Sequence, residues 1–258
     1  RYQINDEYML WASYAKGFKS GGFFGRQANF GNIDVSFDPE YVDNYELGLK
    51  STLMDGAMTL NGTVFFSDYE DKQESILVPR GPADVATIVR NAATEEILGV
   101  EFDLNYQITA NWFLRANYGY LDAEYKEFVA DIDGGAVLEP TDNSNLTPRN
   151  TPKHSFGLST TYTMPVGSGN LQGVLAYRYR DEIEVDLVSQ QPTALPPEGT
   201  QGIGHIDSII DVSAQISYMF SEDRFRITAY GKNLTDEREL HNQTIGGIAT
   251  RGYWNEPR

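Results

Sequence analysis

Cysteine is absent from all 258 residues. Its absence excludes disulfide staples and thiolate metal sites and is compatible with an oxidising compartment without requiring one. Long apolar runs are missing too. Hydrophobic residues make up 40% of the chain, and none of their stretches approaches the ~20 residues that a membrane-crossing helix needs. Positive charge is scarce: 20 Lys and Arg face 37 Asp and Glu, a net charge of −17. A nucleic-acid binder needs a basic footprint, so that partner class is excluded. The simplest role for the acidic excess is to keep loops solvated.

What is present is a rhythm. About nine segments alternate apolar and polar residues for roughly ten positions each, the period of a strand with two different faces. The second segment sets Tyr45, Leu47 and Leu49 against Asn44, Glu46, Gly48 and Lys50. The clearest sets Val100, Phe102, Leu104, Tyr106 and Ile108 against Glu101, Asp103, Asn105 and Gln107. Short turns fall near 54–57, 109–111, 165–170 and 221–224, where Asp55-Gly56 is a strong hairpin signal. Long polar loops are expected between them, at 21–43, 68–96, 122–153 and 181–207, with a last one running to Arg258. The expectation is an all-β, antiparallel, up-and-down transmembrane β-barrel, of which nine to ten strands are in hand. One face of each strand then meets outer-membrane lipid and the other a polar lumen. Trp112 and Tyr120, at opposite ends of one segment, suit the two aromatic girdles of such a wall.

Local motifs add a family. The stretch 37–50, FDPEYVDNYELGLK, resembles an acidic loop end running into an E-x-G-x-K strand of TonB-dependent outer-membrane receptors. Gly99-Val100-Glu101 resembles their G-x-E element, Lys232-Asn233-Leu234-Thr235-Asp236 their K-N-L-T-D motif, and Tyr14-Ala15-Lys16-Gly17-Phe18 also fits. Four motifs in order make the resemblance extend over nearly the whole chain. It implies a plugged barrel of about 22 strands, with residues 1–258 forming its C-terminal portion. Arg1-Tyr2-Gln3-Ile4 then reads as the tail of an earlier strand. The plug, its TonB box, the first half of the barrel and a final strand are expected to lie outside this sequence.

The resemblance also implies a function: capture of a scarce nutrient at the surface of a Gram-negative cell, in particular a ferric siderophore, and import with energy from the TonB complex. No enzyme chemistry, cofactor or resident metal is implied. Partners are then lipid, the plug, TonB through the absent N-terminal region, and the ligand. Loop residues Phe23, Phe24, Phe30, Tyr69, His205, His241 and Tyr253 are ligand-contact candidates, because loops carry function disproportionately. Glu46, Lys50, Glu101, Asp103, Arg115, Arg178, Arg180, Asp211, Arg226 and Lys232 should line the lumen, pairing with one another or with the plug.

Rival readings are a passive porin, a barrel protease and a surface adhesin. A protease needs a constellation that His154, beside Ser155, and His205, near Asp207, do not supply. Asp131-Ile132-Asp133-Gly134 opens like a calcium loop but lacks the later ligands and reads as a turn. Gly167-Ser168-Gly169 reads as a hairpin turn, not a phosphate loop.

Overall fold

The computed structural model describes residues 1–23, 36–81, 84–132, 140–187, 190, 204–220, 224–238, 240–246 and 249–254. For 77–87 and from 239 onward, the description covers backbone alone. Eleven strands form one antiparallel sheet. Nine of them are long: β2 (Tyr8–Lys19), β5 (Glu40–Leu53), β6 (Met58–Gly81), β7 (Asp84–Thr109), β8 (Trp112–Ala130), β10 (His154–Val166), β11 (Gly169–Arg180), β14 (Ile209–Phe220) and β15 (Phe225–Gly231). They pair in that order, with β1 (Tyr2–Gln3) at the near edge and β9 (Thr141–Asp142) against β8. The two edges, β1 and β15, do not pair with each other, so the barrel is not closed. Three small hairpins stand apart from the sheet: β3 (Gly22–Phe23) with β4 (Ser36–Phe37), β12 (Ile183–Glu184) with β13 (His205–Ile206), and β16 (Leu240–Gly246) with β17 (Ala249–Trp254).

Several expected loops are strand. The segment 68–96 is the upper part of a hairpin, since β6 runs for 24 residues and β7 for 26. Polar composition hid it, as did a bulge between Tyr69 and Gln73 that breaks the alternation. The loop placed at 21–43 ends at Glu40, where β5 begins; the loop at 122–153 loses its first part to β8; and the last loop contains the β16–β17 hairpin. The turn placed at 221–224 falls mostly on residues outside the described set. The turn at 54–57 is tight, with positive φ at Met54, Asp55 and Gly56 (55°, 54° and 89°).

Register separates two faces. On one, Leu10, Leu47, Leu49, Val64, Phe102, Leu175 and Ile216 are exposed although apolar. A soluble protein would bury such a face; here lipid covers it. The opposite face carries Glu46, Lys50, Asn61, Asp103, Asn117 and Arg178, paired strand to strand. Close packing on this lumen side uses glycines as sockets. A Cβ on Gly48 would meet the Trp11 indole at 2.3 Å, and one on Gly99 the Phe65 ring at 2.1 Å. Gly48→Ala is therefore expected to displace Trp11 and cost about 1–3 kcal/mol, the usual range for overpacking. The check is the temperature at which the complete receptor loses its folded gel mobility, together with a shift in Trp11 emission.

The only compact hydrophobic core among the described residues lies beyond the long-loop end of the wall. Ile76, Ile88, Tyr125, Phe128, Ile132, Leu146 and Leu187 form it, drawn from the upper hairpin, the end of β8 and two loops.

Candidate functional site

The wall has three levels: a lipid-facing band with its upper boundary, a charged lumen face, and the packed lip above them.

Adjacent rows on the lipid side mark the boundary. Tyr14, Tyr45, Phe66 and Leu98 are aligned across β2, β5, β6 and β7. Two residues further along each strand, the row reads Lys16, Asp43, Asp68 and Glu96, continuing to Glu124 on β8. Hydrocarbon cannot hold such a row. Like charges opposite one another repel, and cations at both ends offset this. Lys16 lies 3.0 Å from Asp43, and Lys126 lies 3.1 Å from Glu96 while also meeting Glu124. The Tyr14 hydroxyl donates to Asp43 at 2.6 Å. At the short-turn end, Trp112 donates through its indole N–H to Thr160 at 2.7 Å. Trp112 and Tyr120, the expected girdle residues, stand eight positions apart on β8, Trp112 at its start and Tyr120 mid-strand because β8 runs on to Ala130, with Tyr120 against His154 at 5.3 Å between ring centroids.

The lumen side brings most of the expected charged residues onto one surface. One row crosses seven strands: Lys50, Asn61, Asp103, Asn117, Gly157, Arg178 and Asp211. Glu46 is held by two donors, Ser13 at 3.0 Å and Asn44 at 2.9 Å, with Ser67 donating on to Asn44 at 2.7 Å. Glu101 stands opposite Thr63 on β6 and Gly119 on β8. Charge along the face is uneven. Carboxylates gather on β5 and β7, while Arg115, Arg178 and Arg180 line one concavity of about 420 Å³ across β8, β10 and β11. Arg226 lies apart on β15, its guanidinium 3.2 Å from the Met219 sulfur, and Lys232 follows that strand.

The lip is where sequence reasoning missed the most. Glu74 and Glu95 are 2% and 1% exposed. Lys72 meets Glu95 and lies 3.8 Å from Glu74, which also accepts from Arg149 and, at 2.8 Å, from the Tyr125 hydroxyl. Burial, reinforced by Glu74, pushes the Tyr125 phenol far up. Burial also pulls the Lys72 ammonium down against the attraction of Glu74. Gln73 caps the carbonyls of Ser20 and Asp38 at 3.1 and 3.0 Å, and Asn91 those of Asp38 and Asp71 at 2.9 and 2.7 Å, tying the hairpin to the segment before β5. Gln190 exchanges two hydrogen bonds with Thr147 and so joins the two loops of the lip. The apolar run Ile76-Leu77-Val78, within a segment read as a polar loop, was the available signal.

The ligand-contact candidates do not converge. Phe23 is 80% exposed on β3. Tyr69 is engaged with Lys72, 5.4 Å from its ring centroid. Phe24 and Phe30 lie outside the described residues, as do the side chains of His241 and Tyr253, whose backbones stand on facing strands of the last hairpin. His205 Nδ1 lies 2.8 Å from Glu184 and its Nε2 3.6 Å from Asp207, and the Glu184 hydrogen bond holds the imidazole above its usual pKa. A raised folded pKa gives a stabilisation that is complete below the ordinary value of about 6.5 and is lost as pH rises through the folded one. The β12–β13 contact is expected to weaken along that path. An NMR titration of His205 checks it: Glu184→Gln should lower the midpoint, and an unchanged midpoint would assign the shift elsewhere.

Comparison with known proteins places this wall in context. A family model described as TonB dependent receptor-like, beta-barrel, matches residues 1–234. A probable TonB-dependent siderophore receptor, PiuA of Acinetobacter baumannii, is 24% identical over 209 residues, which cover 78% of this chain and 26% of that protein. The ferric-pyoverdine 358 receptor of Pseudomonas putida is 26% identical over 169 residues, covering 64% and 17%. The crystal structure of the ferric yersiniabactin uptake receptor FyuA from Yersinia pestis superposes with a TM-score of 0.74 at 18% identity, over 98% of this chain and 34% of that one. This chain thus spans about a quarter of the PiuA relative and carries a recognisable stretch of the same barrel wall.

Proposed function

Because the chain belongs to the TonB-dependent receptor β-barrel family, whose members are outer-membrane transport receptors and not enzymes, we propose that it forms the C-terminal portion of the wall of a receptor importing a metal-loaded siderophore. The metal is ferric iron, and the energy comes from TonB acting on a plug inside the barrel. The named relatives support the ligand class, since those matched are siderophore receptors. The observation that carries the reading is the two-faced wall itself. Its lipid side is apolar up to a charged boundary row, and its lumen side carries charged and polar residues such as Glu46, Lys50, Asn61 and Asp103. A face of that kind suits a polar filling and a polar cargo better than a packed core. The lip then serves as a preassembled surface near which the ligand docks, with Phe23 on the adjoining hairpin.

The test uses the complete receptor in an iron-starved Gram-negative host. Radiolabelled ferric siderophores are supplied to cells with and without TonB. Uptake that requires both the receptor and TonB is expected. Uptake that proceeds equally without TonB would replace active import with a passive pore.

A further inference from the structure

We propose that cargo crosses the membrane along the lumen face of β10, with Arg115 as a contact on its way. The inference rests on the reading above, that this wall belongs to an importing receptor, and adds where in the wall the route lies. The lumen-facing residues of β10 from Ser155 to Thr163 are all small: Ser155, Gly157, Ser159, Thr161 and Thr163. The strands beside it carry longer ones at the same levels, Arg115 and Asn117 on β8 and Arg178 with Arg180 on β11. A low strand between two high ones leaves the hollow of about 420 Å³ on this face. Elsewhere on the lumen side aromatic rings fill such gaps, Trp11 over Gly48 and Phe65 over Gly99. Over Gly157 the nearest atoms belong to the Asn117 amide.

Charge argues for passage rather than for a firm anchor. Arg178 and Arg180 are already engaged by other groups of the chain, so they offer no open fork. Arg115 is held through Nε by Asn105 at 2.9 Å, a bond that leaves its two terminal nitrogens out. A route has to admit its cargo and then release it. One oriented guanidinium does both, donating to an oxygen-rich chelate through charge-assisted bonds, where three open ones would hold it fast. The cargo class that fits is a ferric complex with exposed oxygen acceptors, neutral or anionic.

Position argues the same way. On the lipid side of these strands, Phe156, Leu158 and Tyr177 lie between the levels of Trp112 and Tyr120, so the hollow is inside the membrane span. Its lining begins at Pro152, just before β10 on the long-loop side. Below the hollow, Thr161 and Thr163 keep the strand low down to the short turn after Val166. The low face thus joins the two sides of the membrane span.

The complete receptor tests this in cells supplied with radio-iron as trihydroxamate and as catecholate chelates, using whichever chelate the wild type imports. Ser159→Trp fills the hollow. It should leave surface binding of that chelate, measured in cells without TonB, within about twofold, and slow import by about tenfold or more, the effect of one overpacked contact. Thr63→Trp adds the same bulk in the row of Ser155 but three strands away on β6, and should import at a near-wild-type rate. Arg115→Gln should slow import by about tenfold at unchanged surface binding, the size of a charge-assisted bond. Folded gel mobility confirms that the barrel is intact in each variant. Import unimpaired in Ser159→Trp, or equally impaired in Thr63→Trp, would overturn the route, and import unimpaired in Arg115→Gln would overturn the contact. The wild type separates the two ideas. Import that proceeds without TonB strikes the transport reading and leaves the filling test of the route standing, whereas TonB-dependent import undiminished by Ser159→Trp strikes the route alone.

Discussion

Phe128→Ala is expected to melt the lip while leaving the membrane wall folded. Phe128 is 0% exposed and lies 4.8 Å, centroid to centroid, from Tyr125. Truncating a fully buried phenylalanine costs about 3–5 kcal/mol. The core it belongs to is small, built from the upper hairpin, the end of β8 and two loops, so the cavity has few neighbours able to collapse into it. The lipid-facing wall gains nothing from that core, since its strands are held by ladder hydrogen bonds and by the surrounding bilayer. Hydrogen exchange on the complete receptor in lipid should show amides of β6 beyond Tyr69 and of β7 before Glu95 exchanging about a hundredfold faster or more. Amides of β5 between Asn44 and Leu53 should not change. Loosening of both regions together would mean that lip and wall open as one unit.

Lys72→Met should be comparably severe for a different reason. It leaves Glu95, 1% exposed, without its cation, and Glu74, 2% exposed, with Arg149 and the Tyr125 hydroxyl. Removing one partner of a buried pair costs about 3–5 kcal/mol, while replacing both partners by apolar groups is often neutral. The double variant Lys72→Met with Glu95→Leu is therefore expected to recover most of the loss. The single variant should also be sensitive to pH. Without its cation, the buried Glu95 has a folded pKa raised above the ordinary value of about 4.3, so the penalty is full at neutral pH. It fades as pH falls through the raised value, because the protonated acid no longer needs a partner. Hydrogen exchange of the lip at two pH values measures this, and a penalty independent of pH would assign the loss to packing of the lysine stem.

The wall was legible because lipid and lumen impose opposite demands on alternate residues. Val100 to Gln107 could be assigned to faces from the sequence, and the register agrees; at Ile108 the pairing with β8 shifts. The charged lumen candidates were legible for the same reason. The lip was not, because that logic stops at the boundary row. Beyond Asp68 and Glu96 both faces of the hairpin meet water or protein, so polar residues no longer signal the lumen. Asp71, at φ 54° within the bulge, shifts the phase. Glu74 and Glu95 look like solvated loop acids, and only the fold places Lys72, Arg149 and Tyr125 around them. The arginine-lined concavity needed register as well. Arg115 and Arg178 are 63 positions apart in sequence and become neighbours only because the short residues of β10 lie between them.

The spacing of the girdles has a consequence for where this wall is at ease. Trp112 and Tyr120 are eight residues apart on β8, about 26 Å along a strand at 3.3 Å per residue. A strand tilted by about 40° turns that into about 20 Å of height. Thick bilayers would then have to thin around the wall or strand its aromatic side chains in hydrocarbon, each at some cost per ångström of mismatch. Refolding should be most efficient in short-chain lipid, and the protein should sort to thin membranes by geometry alone.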